Sequence, residues 1–564
     1  MKKQFIHIVR KGTTSLIMLL LVSSCSFLDI DPTAIRTGDS FMNDETNAEL
    51  AINAAYNSLA SHERWSDGLL ESHSFYIGEI MADFAEMGSH KGDFDDLERM
   101  IEWRPYTDEI ILYCTWKRCY DGIYRCDYVL ENIGEAPISE SLKQRIEGEA
   151  YFLRAMNILR LTTMFGSIPI TEGIIPTESY GKIPQKNLHE CFEIAASHFE
   201  KAIDRLPTKN QYESKNIGRA TKGAAQAMLA RVALYIGTWN KFHGSGEYKS
   251  YLQIAKEASK RLIDSKEYSL YADYRNLFLL PGEDSNEHIL SFRYSAEADT
   301  YNPRIRATIA DLSHSPTKVL ADAFLCKDGL PLEKSAYRVE YLPAGKEFEN
   351  RDPRMALTIW KPGDPFLGKP FVPNLTSQTR TGYMFKKYGD EESYSNMKSR
   401  IDEILIRYAE VLLTFAEASF ELDDRISDED LNLSVNALRN RFEGDPNRLP
   451  ALTNAFVAEH GLSMRDEIRR ERRVELAAES FRYDDIIRWK TAETELPAAI
   501  LGAKFDPELY PSTVPGKDVI LDKNGFILVQ NAESRTFDSS KDYFFPLPLR
   551  EVSLNPNLKQ NPNW

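Results

Sequence analysis

Apolar residues recur at three- and four-residue intervals over 47–59, 116–133, 142–164, 189–206, 221–239 and 248–263, which predicts six amphipathic helices. The fifth is dense in alanine between 221 and 235, and small side chains let a neighbouring helix approach closely. The sixth offers Ala255 and Ala258 on its inner side. The same helix-pair pattern recurs as 404–422 followed by 431–442, and again over 465–490. Within 468–490, Tyr483, Ile486 and Trp489 fall every three residues and mark a buried side. The charged run Arg469-Arg-Glu-Arg-Arg473 is interleaved with Glu475, Glu479, Asp484 and Asp485. Arg482 is expected to meet Glu479 and Arg488 to meet Asp484 on one helical face. This stretch reads as an ion-pair-laced packing helix, not an anion site.

Two antiparallel helices with small residues at their contact form the unit of a tetratricopeptide solenoid. The pairs here are unevenly spaced, because long insertions of another composition interrupt them. Residues 84–111 mix Gly and Asp with Trp103, Pro105 and Tyr106. Residues 265–400 are rich in Pro, Gly and Tyr and hold β-like runs such as 288–294. In 505–548, Val519-Ile-Leu521 and Phe526-Ile-Leu-Val529 flank Asp522–Gly525, which predicts a hairpin. The fold class is therefore mainly α: a tetratricopeptide-like helix-pair scaffold with irregular, loop-rich insertions and a few short β-hairpins. Binding function is expected on the insertions, since loops on a rigid scaffold carry it.

The first residues follow a different rule. Lys2, Lys3, Arg10 and Lys11 precede the apolar run 15–22, which stops at Ser23-Ser24-Cys25. Eight helical residues rise about 12 Å, against a bilayer core of about 30 Å, so the run is too short to span. It reads as an export signal, residues 1–24. Val22-Ser23-Ser24-Cys25 resembles a bacterial lipobox, in which the cysteine thiol carries the lipid and becomes the first mature residue. Loss of four basic residues with the signal would take the net charge from −16 to −20. With no basic domain to balance that acidity, a nucleic-acid partner is not expected. A 42% hydrophobic, 27% charged composition is that of a folded chain rather than a disordered one.

Chemistry-bearing motifs are sparse. Cys114, Cys119, Cys126, Cys191 and Cys326 form no CxxC, and Cys119 and Cys126 lie about 10.5 Å apart along a helix, beyond bridging range. The histidines show no HExxH spacing. Gly38-Asp39-Ser40 imitates a hydrolase nucleophile motif without a supporting partner histidine. Asp95-Asp96, Asp423-Asp424 and Asp484-Asp485 offer paired carboxylates for glycoside hydrolysis, but neighbours in sequence point apart, and solvated faces are the plainer reading. The oxygen-rich segment 92–98 has donors for calcium without EF-hand spacing. Neither a cofactor nor a catalytic group is expected.

At the C-terminal helices the chain becomes recognisable. Ile468-Arg-Arg-Glu-Arg-Arg-Val-Glu-Leu476, Phe481-Arg-Tyr-Asp484 and Ile487-Arg-Trp489 closely resemble the signature of the SusD/RagB family. So do Leu405-Ile-Arg-Tyr-Ala-Glu-Val-Leu-Leu413 with Ala416-Glu-Ala418, Asn436-Ala-Leu-Arg-Asn-Arg441, and the ending from Phe545-Pro-Leu-Pro548 to Trp564. Upstream, Cys25-Ser-Phe-Leu-Asp29 with Pro32 and the alanine-rich helix match as well, while Cys126-Asp127 replaces the commoner Ala-Asn. The resemblance divides the mature chain into an N-terminal SusD-like helical portion, 25–265, and a C-terminal SusD/RagB portion, 266–564. It implies a surface-facing outer-membrane lipoprotein, tethered through Cys25, that acts as the lid of a SusC-like TonB-dependent transporter. Such proteins resemble non-enzymatic binders of oligosaccharides built on four tetratricopeptide-like helix pairs. A binder of peptides or another nutrient in the same architecture is the alternative, and a surface glycosidase a third reading.

Sugar rings present apolar C–H faces that stack on aromatic planes while polar groups take the hydroxyls. Trp103 and Tyr106 fit that role best: they flank Arg104-Pro105 in an irregular insertion, in a position that resembles where family members carry ligand-binding aromatics. Arg104 offers donors to hydroxyl or carboxylate oxygens. Tyr294 and Tyr301 are candidates for the opposite wall, whereas Trp116, Trp239 and Trp489 lie on helices and are expected in the core.

Overall fold

Each of the predicted N-terminal helices forms, and the local sequence explains where each begins. In the computed structural model, which describes residues 41–59, 84–86, 110–295, 300–302, 314–375, 379–396 and 399–564, helix α1 spans Glu45–Tyr56 and opens on Asp44, whose carboxylate accepts from the Asn47 amide. Helix α2 spans Ile110–Asn132 and α3 spans Glu140–Phe165, the latter capped by Ser139. Helix α4, Leu188–Arg205, carries a full capping box between Asn187 and Glu190. Helix α5, Lys222–His243, is capped by Thr221 and stopped by Gly244 at φ 67°, a left-handed position glycine takes without strain. Helix α6 spans Lys249–Ser265.

These helices pack in chain order, α2 on α3, α3 on α4, α4 on α5 and α5 on α6, as a helix-pair solenoid requires. Alanines 224, 225, 227, 230 and 233 are buried along α5, and Ala255 and Ala258 are buried on α6. Trp116, Trp239 and Trp489 are buried too, as their helical positions predict. The crossing of α2 with α3 is tight at Gly122. A Cβ there would lie 2.6 Å from Ser58 Cβ and 2.7 Å from Asn157 Nδ2, while Asn157 Nδ2 donates to Ser58 Oγ at 3.0 Å. Gly122→Ala should therefore cost about 1–3 kcal/mol through overpacking, despite alanine's better helix propensity. A urea melt showing the variant as stable as the parent would refute this.

The C-terminal half departs from the sequence expectation in three places, each with a non-local cause. Residues Glu403–Arg407, the start of the expected helix 404–422, form strand β4 instead. That strand pairs antiparallel with β2, His288–Phe292, and helix α7 begins only at Tyr408 and runs to Asp423. Ile404 and Ile406 suit the half-buried ladder, and the pairing turns Arg407 inward. The expected helix 431–442 is broken into α8, Asp428–Leu433, and α9, Val435–Asn440, at Ser434, whose hydroxyl donates to Asp430 O. The single helix expected over 468–490 is two, α10 at Met464–Glu475 and α11 at Arg482–Arg488. Ala478 and Ser480 between them adopt φ of 62° and 68°. The break aims the carbonyls of Glu475 and Ala477 at the buried ammonium of Lys387, 3.0 and 2.8 Å away.

The local ion pairs expected on that stretch are accordingly replaced. Arg482 binds Glu495 rather than Glu479, and Arg488 binds Glu417 and Asp485 rather than Asp484. Tyr483, Ile486 and Trp489 are buried, as their spacing indicates. The hairpin around Asp522–Gly525 is present as a Leu521–Ile527 bridge, closed by Asp522 N donating to Phe526 O. Its second arm, β6 at Phe526–Gln530, pairs chiefly with β5 at Ile500–Lys504. Strand β1, Phe84–Glu86, pairs with β3, His314–Pro316, and so fastens the first insertion to the second. The chain's end is tied back onto the helical scaffold, where Asn561 Nδ2 donates to Phe165 O and Asn555 Nδ2 to Ile183 O.

Candidate functional site

The β2–β4 ladder delivers the candidate aromatics of the second insertion to one place. Beyond Phe292 the chain stays extended, and the Tyr294 amide donates to Asp402 Oδ1 at 3.0 Å. Ser295 and Thr300 then exchange hydrogen bonds: the Ser295 amide donates to Thr300 Oγ1 and the Thr300 amide to Ser295 O. Tyr294 and Tyr301 thus stand at the two ends of one closed loop, both half-buried. Asn302 clamps the returning strand, its amide donating to Ser399 O and its Nδ2 to Ile401 O, each at 2.8 Å. The Phe292 and Tyr294 rings meet edge to face with centroids 5.3 Å apart, and the Arg400 guanidinium lies over the Tyr301 ring at 5.8 Å.

On the other side of Phe292 opens a cleft of about 260 Å³. Asn53 and Tyr56 of α1, the connection Lys215–Arg219, and Phe292 and Arg293 of the ladder line it. The Tyr56 hydroxyl accepts from the Ala220 amide at 2.8 Å, so its ring is fixed. Arg219 is held by Glu49, Glu149 and Asn53. Arg293 pairs with Asp284 at 2.7 Å and lies 3.5 Å from Asp402. Burial pushes the Asp402 carboxyl up to about 6 and that of Glu283, which accepts from the Asp402 amide, up to about 7. The loop base therefore rests on a partly desolvated acidic foundation, while the cleft in front is aromatic and basic.

Sequence reasoning located Tyr294 and Tyr301, which the structure brings together, but it missed Tyr56, Phe292, Arg293 and Arg400. Tyr56 was masked by the helical period of α1. Arg293 alternates with Phe292 and Tyr294 along a strand, and that alternation was the available signal. Cys25, Trp103, Arg104 and Tyr106 lie outside the described residues, as do Gly38-Asp39-Ser40, Asp95-Asp96 and the segment 92–98. The β1–β3 ladder sets the start of the insertion that carries Trp103 beside residues 314–316 of the insertion that carries Tyr301.

A cleft of about 610 Å³ between α3 and α4 holds Arg154, which donates to Asp127 at 2.6 Å and lies 3.3 Å from His198 Nδ1. Burial and Arg154 push the His198 imidazole down to about 3, so it is neutral and accepts from the guanidinium. Asp424 is engaged by Lys241 and Arg465, Asp423 by Lys249, and Asp485 by Arg472 and Arg488, while burial pushes the Asp484 carboxyl up to about 6. Among the described residues, no group of His, Cys, Asp and Glu is arranged to hold a metal ion, and no helix is long and apolar enough to cross a membrane.

Comparison with known proteins agrees with this arrangement. A family model described as the SusD family matches residues 287–564, and one described as starch-binding, associating with outer membrane, matches residues 34–234. A SusD-like protein of Formosa agariphila is 26% identical over 532 residues, which cover 88% of this chain and 94% of that protein. A SusD-like carbohydrate binding protein from Bacteroides fragilis superposes with a TM-score of 0.78 at 25% identity, over 92% of this chain and 100% of that one. Surface glycan-binding protein A from Bacteroides thetaiotaomicron, solved in complex with laminarihexaose, shares the fold with a TM-score of 0.64 at 19% identity, over 92% and 99% of the two chains. The chain belongs to the SusD/RagB family.

Proposed function

We propose that this protein captures oligosaccharides at the cell surface, held to the outer membrane by lipid on Cys25 and seated as a lid on a SusC-like TonB-dependent transporter. The observation that carries the ligand reading is the pairing of half-buried Tyr294 and Tyr301 at one loop base, beside a cleft floored by Tyr56 and Phe292. Aromatic planes at a water-accessible edge, backed by hydrogen-bonding groups, suit a sugar ring's two faces. Trp103, Arg104 and Tyr106 of the first insertion are proposed to contact the same ligand. The relatives described as carbohydrate binding support the same ligand class. Binding is read as proceeding without turnover, in keeping with the ion pairs that engage Asp423, Asp424 and Asp485.

A glycan array followed by calorimetry on the retained oligosaccharide tests the reading. Trp103→Ala and Tyr294→Ala should each weaken binding by about 1–3 kcal/mol, the worth of an aromatic anchor, with Tm nearly unchanged. Binding to peptide pools but to no glycan, or affinity that survives both substitutions, would overturn it.

A further inference from the structure

The charge of the cleft runs against that of the chain. The protein carries 85 acidic and 69 basic residues, yet the side chains lining the cleft beside Phe292 include Lys215, Arg219 and Arg293 and no acid among the described residues. A fourth cation, Arg400, stands over the Tyr301 ring. From this juxtaposition of cations with the Phe292–Tyr294–Tyr301 aromatics we infer that the site selects acidic oligosaccharides, those whose sugars carry carboxylate or sulfate groups. The inference rests on the glycan-binding reading above and narrows its substrate class.

The four cations differ in what they have to offer. Arg219 is committed to Glu49, Glu149, Asn53 and Asn216, so it contributes a fixed, charge-balanced wall rather than free donors. Arg293 is held edge-on by Asp284, with 38% of its side chain exposed. Lys215 pairs only with Glu213, and both side chains are more than 70% exposed at 76% and 72%, a solvent-screened contact that an incoming anion readily displaces. Arg400 is exposed, makes no ion pair among the described residues and lies over the Tyr301 ring. A guanidinium stacked on an aromatic ring keeps its planar fork of N–H donors outward, the geometry that grips carboxylate or sulfate oxygens two at a time. An acidic sugar stacked on Tyr301 or Tyr294 would thus find a rigid cation at its rim, while a neutral sugar would leave Arg400 facing water.

The test uses matched pairs that differ only in charge, measured by calorimetry on the full mature chain: hexagalacturonate against its methyl ester, and a sulfated galactan hexasaccharide without uronic acids against its desulfated form. At least one acidic member should bind tenfold or more tighter than its neutral partner, roughly what one charge-assisted contact supplies. Its Kd should rise between low and physiological salt as the field is screened. Arg400→Gln should bring the acidic-to-neutral ratio towards one without moving Tm. The member of each pair that binds tells carboxylate from sulfate. Equal affinity within both pairs, or a ratio that Arg400→Gln leaves intact, overturns the inference. If neutral glycans then bind with the Trp103 dependence described above, the broader reading survives that failure; if no oligosaccharide binds at all, both fall.

Discussion

Glu475→Gln should lower the free energy of unfolding by about 3–5 kcal/mol, the cost of removing one partner from a buried ionic cluster. The Glu475 side chain is fully buried and its carboxylate meets three guanidinium groups: Arg407 at 2.8 Å, Arg354 at 3.0 Å and Arg441 at 3.1 Å. Around it, Glu287 binds Arg407 and Arg441, Glu479 binds Arg407 and Lys387, Glu471 binds Arg354 and Arg439, and Asp352 binds Arg354. The cluster balances five cations with five carboxylates, so the variant leaves one positive charge uncompensated in a medium that solvates charge poorly. Burial alone would raise the pKa of Glu475, but Arg441, Arg407 and Arg354 overrule it and hold the carboxyl well below its usual 4.5. Because the folded-state value is depressed, the stabilisation is fully present above the unfolded pKa and is lost as pH falls below it. The parent should therefore lose stability steeply below about pH 4.5, while the variant, with no carboxylate to protonate there, shows a shallower slope. Urea melts across pH 3–7 check both points. A loss under 1 kcal/mol at pH 7, with parallel acid slopes, would mean the cluster is relaxed by water.

This cluster marks the boundary of what the sequence discloses. The period of apolar residues is a local signal, and it foretold α1 to α6 because each helix packs through its own apolar positions, with side-chain caps on α1, α3, α4 and α5. The charged residues of 468–490 obey the same local arithmetic, which paired Arg482 with Glu479 and Arg488 with Asp484. In the fold most of their partners come from residues 354, 387, 407, 417, 439, 441 and 495 instead, and no spacing rule reports contacts across such separations. The strand at Glu403–Arg407 was hidden for the same reason: Leu405-Ile-Arg reads equally well as helix until β2 supplies a ladder. At the candidate site, Tyr294 and Tyr301 were legible because they fall outside helical periodicity in a Pro- and Gly-rich insertion. Arg400 was not, since its meaning arises from the ring beneath it, a contact made when Asn302 clamps residues 399–401.

Cys25→Ala should abolish membrane attachment while leaving a folded, ligand-competent protein. Each acyl methylene buried in a bilayer contributes about 0.8 kcal/mol, so the several chains of a bacterial lipoprotein anchor make release negligible, whereas an unlipidated chain has no comparable affinity. No helix among the described residues offers a substitute span, and the acidic surface, with a net charge of −16 over the whole chain, is repelled rather than drawn by anionic lipid. The protein partner must be removed for a clean reading. A lid that buries more than about 2,000 Å² against a SusC-like barrel would itself hold the unlipidated chain at the membrane. Fractionation should therefore be run in cells with and without the transporter. With it, part of the Cys25→Ala protein should remain bound and be released by gentle detergent as a complex; without it, all of the variant should be soluble, and the parent should stay in the membrane. Retention of the variant in cells that lack the transporter would mean that something other than lipid on Cys25 does the anchoring. Full solubility of the variant even where the transporter is present would leave the tether intact and count against the lid.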